Sequence, residues 1–182
     1  TALALLANYG MTPNDVKTVP VTSYPSGVRA VIEGRADLAV GSVGSGITRE
    51  LKTAKGARYL DLDTSPEAIA RMKKVHPGYY PIKAKAGLPG LAKETMVMGK
   101  DITLVSATGL SDDVAYSITK ALWENYKELA PLHPRLKFWT ADRFASTRAV
   151  VPYHPGSIKW YKEKGVWNKE LEEHQKELLT IK

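Results

Sequence analysis

Residues 37 to 51 pass from an apolar run, Asp37-Leu38-Ala39-Val40, through a glycine- and serine-rich turn, Gly41-Ser42-Val43-Gly44-Ser45-Gly46, into the helix-like run Ile47-Thr48-Arg49-Glu50-Leu51. This strand, turn and helix order constrains the fold because it repeats on both sides. Thr1 to Tyr9 has the character of a buried helix closed by Gly10. Lys17 to Val21 reads as a strand, Pro25 to Glu33 as a helix opened by Ser23 or Ser26 and closed by Gly34, and Ala36 to Val40 as the next strand. A helix over Ile47 to Ala54, a strand over Ala57 to Leu62 and a helix over Pro66 to Val75 continue the alternation. The β-α-β order predicts an α/β fold with a largely parallel sheet covered by helices.

The rhythm breaks at Pro77 to Gly99, where Tyr79-Tyr80-Pro81 and Gly87-Leu88-Pro89-Gly90 predict a long connection able to line a cleft. Asp101 to Ser106 reads as an extended strand, and Ser111-Asp112-Asp113 caps a helix running to about Leu129 with acids in its first turn. Beyond it the chain reads as nearly all helix. Thr140 caps residues 141 to 149, Pro155 to Lys164 makes a helix ended by Gly165, and Asn168 opens the last. The change near residue 100 predicts two lobes, an α/β lobe over residues 1 to 100 and a mainly helical one over 101 to 182.

The 182 residues are 43% hydrophobic and 25% charged, as in globular chains of one domain or two small ones. No apolar stretch approaches the roughly 20 residues a membrane span needs. Without cysteine, disulfides and thiolate metal sites are excluded. The net charge of +7 raises nucleic acid or an anionic solute as partners. Its distribution favours the solute, because basic and acidic residues interleave, as in Lys169 to Glu177, and form no long basic face.

Two readings fit the Gly41 to Gly46 turn. One is a tight connection whose glycines supply positive φ angles. The other is an anion site, in which glycines let the backbone approach a ligand, serine hydroxyls donate, and the helix start adds unpaired N–H groups and positive potential. No Gly-Lys-Ser/Thr follows and no Gly-x-Gly-x-x-Gly occurs there, so neither a nucleoside triphosphate nor a dinucleotide cofactor is expected. Ser42, Val43, Gly44 and Ser45, with Ser23 and Tyr24 after the preceding strand, form the candidate solute-binding set. Tyr79 and Tyr80 are candidates to pack on the solute, and Arg29 and Arg49 to clamp a carboxylate, although packing and surface roles suit these residues as well.

Catalytic and metal chemistry find little support. His76, His133 and His154 each precede a proline and have no second histidine at ligand spacing, which suits turn or capping roles. Gly44-Ser45-Gly46 lacks the Gly-x-Ser-x-Gly spacing of a nucleophile elbow. A binding protein without catalytic residues, metal or cofactor is therefore expected. An enzyme on the same fold would need a paired nucleophile and base, and the effector-binding domain of a regulator would bring a helix-turn-helix segment. Neither motif occurs in these residues.

Three segments carry a family resemblance: His154 to Trp167 (HPGSIKWYKEKGVW), Leu110 to Leu122 (LSDDVAYSITKAL) and Gly34 to Ala39 (GRADLA). Together they resemble the TAXI family of solute receptors for tripartite ATP-independent periplasmic (TRAP) transporters. The resemblance implies a type II periplasmic-binding-protein-like fold, with two lobes closing over a small anionic solute such as a carboxylate or glutamate. It implies a periplasmic receptor that passes the solute to TRAP membrane subunits, with no catalytic step and no nucleic acid. Residues 1 to 100 would be the second lobe, and 101 to 182 a hinge strand and the helical part of the first. The N-terminal part of the first lobe, with its Gly-Ser-Gly-Thr-like turn, is then missing, and Thr1 would end that turn and join the ligand-binding set.

Overall fold

The computed structural model describes residues 1 to 181, apart from the side chains of residues 134 and 135. It divides into two compact units, Thr1–Lys100 and Asp101–Lys182.

In the first unit, α1 (Ala2–Asn8) packs on α4 (Pro66–Val75), α2 (Tyr24–Ile32) packs on α3 (Gly46–Lys55), and α4 lies against strand β1 (Tyr79–Ala84). The core gathers Ala4, Leu62, Met72 and Tyr79, with Leu5, Met96 and Met98 packed against them. Local chemistry sets the helix limits. Ser23 and Ser65 cap α2 and α4 by accepting from Ser26 N and Ala68 N, and Gly10, Gly34 and Gly56 follow helices at φ of 73°, 74° and 66°. The buried Asn8 joins α1 to the loop before α4: its amide donates to Asp63 O at 2.9 Å and its Oδ1 accepts from Asp63 N at 3.1 Å. Arg71 of α4 donates in turn to the carbonyls of Ala7, which also accepts from Gly10 N, and Asn8 at the end of α1.

The expected parallel sheet is replaced by one antiparallel pair, the only sheet among the described residues. β1 pairs with β2 (Thr95–Lys100), Tyr79 opposite Lys100 and Ala84 opposite Thr95. β1 and all of β2 but Lys100 fall inside the stretch expected as a long connection; Gly87 and Gly90, both at positive φ, turn the chain between them. The sheet has two strands, so Pro81 needs to satisfy only one neighbour. Lys17 to Val21, Ala36 to Val40, Ala57 to Leu62 and Asp101 to Ser106 are not strands. Each has strand-forming residues, but a strand exists only with a neighbour that completes its ladder. Ala57 to Leu62 comes nearest, with single bonds from Tyr59 N to Gly90 O and from Leu62 N to Met96 O.

The second unit is helical, with α5 (Asp112–Leu129), α6 (Ala141–Phe144), α7 (Pro155–Glu163) and α8 (Lys169–Thr180). It contains no strand among the described residues, so the expected hinge strand over 101 to 106 is absent. Residues 141 to 149 were expected as one helix, yet α6 stops at Phe144. The Tyr153 hydroxyl accepts from Ser146 N at 2.8 Å and donates to Ser146 O at 2.9 Å, taking the groups a longer helix would use. α7 crosses α5 closely at Gly156, and the Thr119 and Ser157 hydroxyls share a 2.7 Å hydrogen bond there.

Candidate functional site

The Gly41 to Gly46 turn leads into α3 as expected, although the segment before it is not a strand. Its glycines have separate reasons. A Cβ on Gly41 would come within 2.9 Å of Thr48 Cγ2, while Gly44 turns the chain at φ +75°. Ser45 occupies the N-cap position with extended backbone, but its side chain makes no capping bond. The first-turn amides of α3 are therefore open to another acceptor, at the positive end of a ten-residue helix.

The Ser45 hydroxyl instead enters a ring of hydroxyl groups. Ser42 N donates to the Tyr24 hydroxyl at 3.1 Å, Tyr24 Oη lies 2.5 Å from Ser45 Oγ, and Ser45 Oγ lies 3.0 Å from Thr48 Oγ1. Thr48 donates to Ser42 O at 3.1 Å or Ser45 O at 2.9 Å, and Tyr59 donates to Ser42 O at 3.0 Å. One direction of protons fits the hydroxyl chain, with Thr48 donating to one of the two carbonyls. Because the Thr48 proton goes to a carbonyl, Ser45 donates to Thr48, and Tyr24 then donates to Ser45. The direction runs from Ser42 N–H through Tyr24, Ser45 and Thr48 to a carbonyl of the same turn, each link polarising the next. Burial holds the Tyr59 hydroxyl above the usual tyrosine range, with the Thr48 hydrogen bond pulling it down and Tyr24 adding a small upward push. Tyr59 stays a neutral donor.

The remaining expected residues fall elsewhere. Ser23 caps α2 and shares a 2.7 Å hydrogen bond with the Ser26 hydroxyl. Val43 is half-buried and brings no polar atom. Thr1 stands before α1 with its hydroxyl 2.7 Å from that of Tyr79. Tyr79 is a core residue stacked on His76, ring centres 4.4 Å apart, and Tyr80 is half-buried. Arg29 and Arg49 are exposed. An open hollow of about 330 Å³ beside the start of α2 is lined by Pro20, Val21, Thr22, Ser26 and Arg35, and the Arg35 guanidinium is held by Glu33.

Sequence reasoning missed Thr48 and Tyr59. Thr48 carried a usable signal: three residues after Ser45 on a helix start, it faces the cap position. Tyr59 carried none, because it reaches Ser42 across 17 residues of chain. His76 and His154 take turn and capping roles: His76 Nδ1 accepts from Gly78 N at 3.1 Å, and His154 Nδ1 accepts from Gly156 N at 3.2 Å while its Nε2 donates to Leu110 O. Among the described residues no three His, Asp or Glu side chains gather as a metal site.

A family model described as the NMT1-like family matches residues 1–165. The chain belongs to the NMT1-like family, a periplasmic solute-binding family related to TRAP/TAXI-type receptors. At that coarse level its role is extracytoplasmic solute binding, with a small-molecule ligand and a transporter partner. Among the described residues no helix is long and apolar enough to cross a membrane.

Proposed function

We propose that this chain is part of a TAXI-type periplasmic receptor that binds a small anionic solute, a carboxylate or an amino acid such as glutamate, and delivers it to TRAP membrane subunits. The anion binds at the Ser42 to Ser45 turn, with Tyr24 and Ser45 beside it. One observation carries this reading: the N-cap side chain of α3 makes no capping bond, which leaves the first-turn amides open at the positive end of the helix, beside the Tyr24 and Ser45 hydroxyls. The solute leaves chemically unchanged. In support, the Tyr24, Ser45, Thr48 and Tyr59 hydroxyls bond to one another and to carbonyls, with no histidine or carboxylate among these partners to serve as a base. The proposal includes the two-lobed type II architecture, with residues 1 to 100 as one lobe.

The test begins with native mass spectrometry of the freshly purified protein, which identifies a retained small molecule. L-glutamate serves as the probe if none is retained. Calorimetry then compares the parent chain with Ser45→Glu, which places a like charge and a bulky group where the anion sits. A loss of about 1 to 3 kcal/mol, from about fivefold to more than a hundredfold in Kd, is expected. An unchanged dissociation constant would remove the turn from the site, and NMR showing turnover beyond one equivalent would make the protein an enzyme.

A further inference from the structure

We infer that the face formed by α5 and α7 in the helical unit is a docking surface for an acidic segment of a partner protein, with Lys120, Lys159 and Lys164 as its contacts. It lies outside the unit that holds the solute turn, and the inference does not depend on that turn. α7 carries Trp160 and α5 carries Tyr116, whose rings meet edge to face with 5.5 Å between centres. Three exposed lysines place their ammonium groups over these rings: Lys164 Nζ at 4.4 Å and Lys120 Nζ at 5.6 Å from the Trp160 ring centre, and Lys159 Nζ at 5.0 Å from that of Tyr116. Like charges gathered this way repel one another, and the acids nearby do not neutralise them. The Glu163 carboxylate accepts from the Tyr116 hydroxyl at 2.7 Å, and Glu124, also near Tyr116, pairs with none of the three. Among the described residues Lys120, Lys159 and Lys164 have no acidic partner, whereas the adjacent Lys162 is taken by Glu172.

Trp160 is what holds two of these lysines in place. It is 4% exposed, and its Nε1–H is the one buried side-chain donor among the described residues that finds no acceptor. An unpaired buried N–H destabilises a fold, so the indole serves here through its ring face, the best aromatic platform for a cation. Lysine stems laid on a ring have less freedom to lose, so a partner that binds them pays less in ordering. A carboxylate-rich segment fits such a surface. Ammonium groups form charge-assisted bonds to carboxylates, and in an extended chain alternate side chains share one face, so acids two residues apart reach successive lysines. A uniformly anionic bilayer would press its charge on Glu163 and Glu124 as well, whereas a protein segment places its acids over the lysines alone.

The experiment uses the full chain and an acetylated hexaglutamate peptide as probe. Binding is followed by calorimetry and by the Trp160 Nε1–H signal in ¹⁵N NMR, assigned from Trp160→Phe. The peptide should bind saturably and shift that signal. Lys120→Gln with Lys164→Gln should weaken binding about two- to thirtyfold, and by less as salt rises. Lys120→Arg with Lys164→Arg keeps the charges over the ring and should keep the binding. Lys52→Gln with Lys55→Gln, on α3, removes the same amount of charge and should leave Kd within about twofold of the parent. Equal losses in the two glutamine pairs would reduce the effect to net charge and overturn the surface, as would a peptide that does not bind. Phosphatidylglycerol vesicles that retain the parent but not the Lys120→Gln, Lys164→Gln chain, when the peptide does not bind, would assign the lysines to a bilayer and overturn the protein partner.

Discussion

Replacing Gly156 by alanine is expected to destabilise the helical unit more than any other glycine-to-alanine change at an ordinary backbone angle. Gly156 is buried in the first turn of α7, directly over the first turn of α5. A Cβ there would lie 2.0 Å from the Asp112 carbonyl oxygen and 2.8 Å from Tyr116 N, the two ends of one turn of α5 backbone. Neither atom belongs to a flexible side chain. Real Cβ atoms essentially never approach closer than 3.0 Å, so the helices must separate locally by at least about 1 Å, a backbone shift of the kind that overpacked cores undergo. That movement pulls on the 2.7 Å Thr119 to Ser157 bond and on Ala115 and Trp160, both buried between the helices.

Backbone displacement by overpacking costs about 1 to 3 kcal/mol, and the lost hydrogen bond adds about 1 kcal/mol. Alanine's better helix propensity returns at most about 1 kcal/mol. The net loss is about 1 to 4 kcal/mol, a fall in Tm of several degrees up to on the order of 10 °C. Circular dichroism melts and urea titrations of the parent and Gly156→Ala measure it. Gly109→Ala is the control, since a Cβ there meets nothing within 4 Å, and it should stay within about 0.5 kcal/mol of the parent. A Gly156→Ala chain that melts with the parent would show that α5 and α7 do not cross as closely as described.

Two further predictions concern the first unit. Asn8→Ala removes both bonds to the Asp63 backbone and leaves a small void, so the urea midpoint should fall by the equivalent of about 2 kcal/mol; an unchanged midpoint would mean that Asn8 does not tie α1 to this loop. Asp61 is held below the usual carboxylate range by the Lys93 side chain first and the Met96 N–H second. A lowered folded-state pKa gives stability that is complete above the unfolded value near 4 and lost as pH falls through the folded one. The Tm advantage of the parent over Asp61→Asn should thus hold at neutral pH and shrink in acid, and an advantage unchanged across that window would refute the linkage.

Helices could be located from the sequence because their limits are chemical and local. Ser23, Ser111 and Asn168 accept from the amide three residues on, and Gly10, Gly34 and Gly165 take the positive φ that stops a helix. Pro66 to Val75 was legible to the residue. Strands have no such internal signal. Leu38, Leu60, Leu104 and Val105 lie in strand-like runs and are exposed, whereas Tyr79 and Thr95, in a stretch read as irregular because of its prolines and glycines, are buried at the ends of the one pair that forms. Pairing is a property of two segments, and residue preference measures only one.

The same division runs through the candidate site. The glycines of the turn, Ser45 at the N-cap position and the start of α3 are local, and the sequence showed them. The feature that gives the turn its chemistry is a cycle of donors closed by Tyr24 from 18 residues before Ser42 and by Tyr59 from 17 residues after it. A sequence offers many tyrosines as candidates for such a role, and Tyr79, equally plausible in the sequence, is a core residue bonded to Thr1. What separates the three is the backbone each one rests on. Tyr59 packs on Gly41 and Gly90, Tyr79 is enclosed by Ala4 and Met72, and Tyr24 stands half in solvent with its hydroxyl at the helix start. Of the three, Tyr24 alone combines exposure to solvent with polar contacts to Ser42 N and Ser45 Oγ at the start of α3, where the other two support the backbone around them.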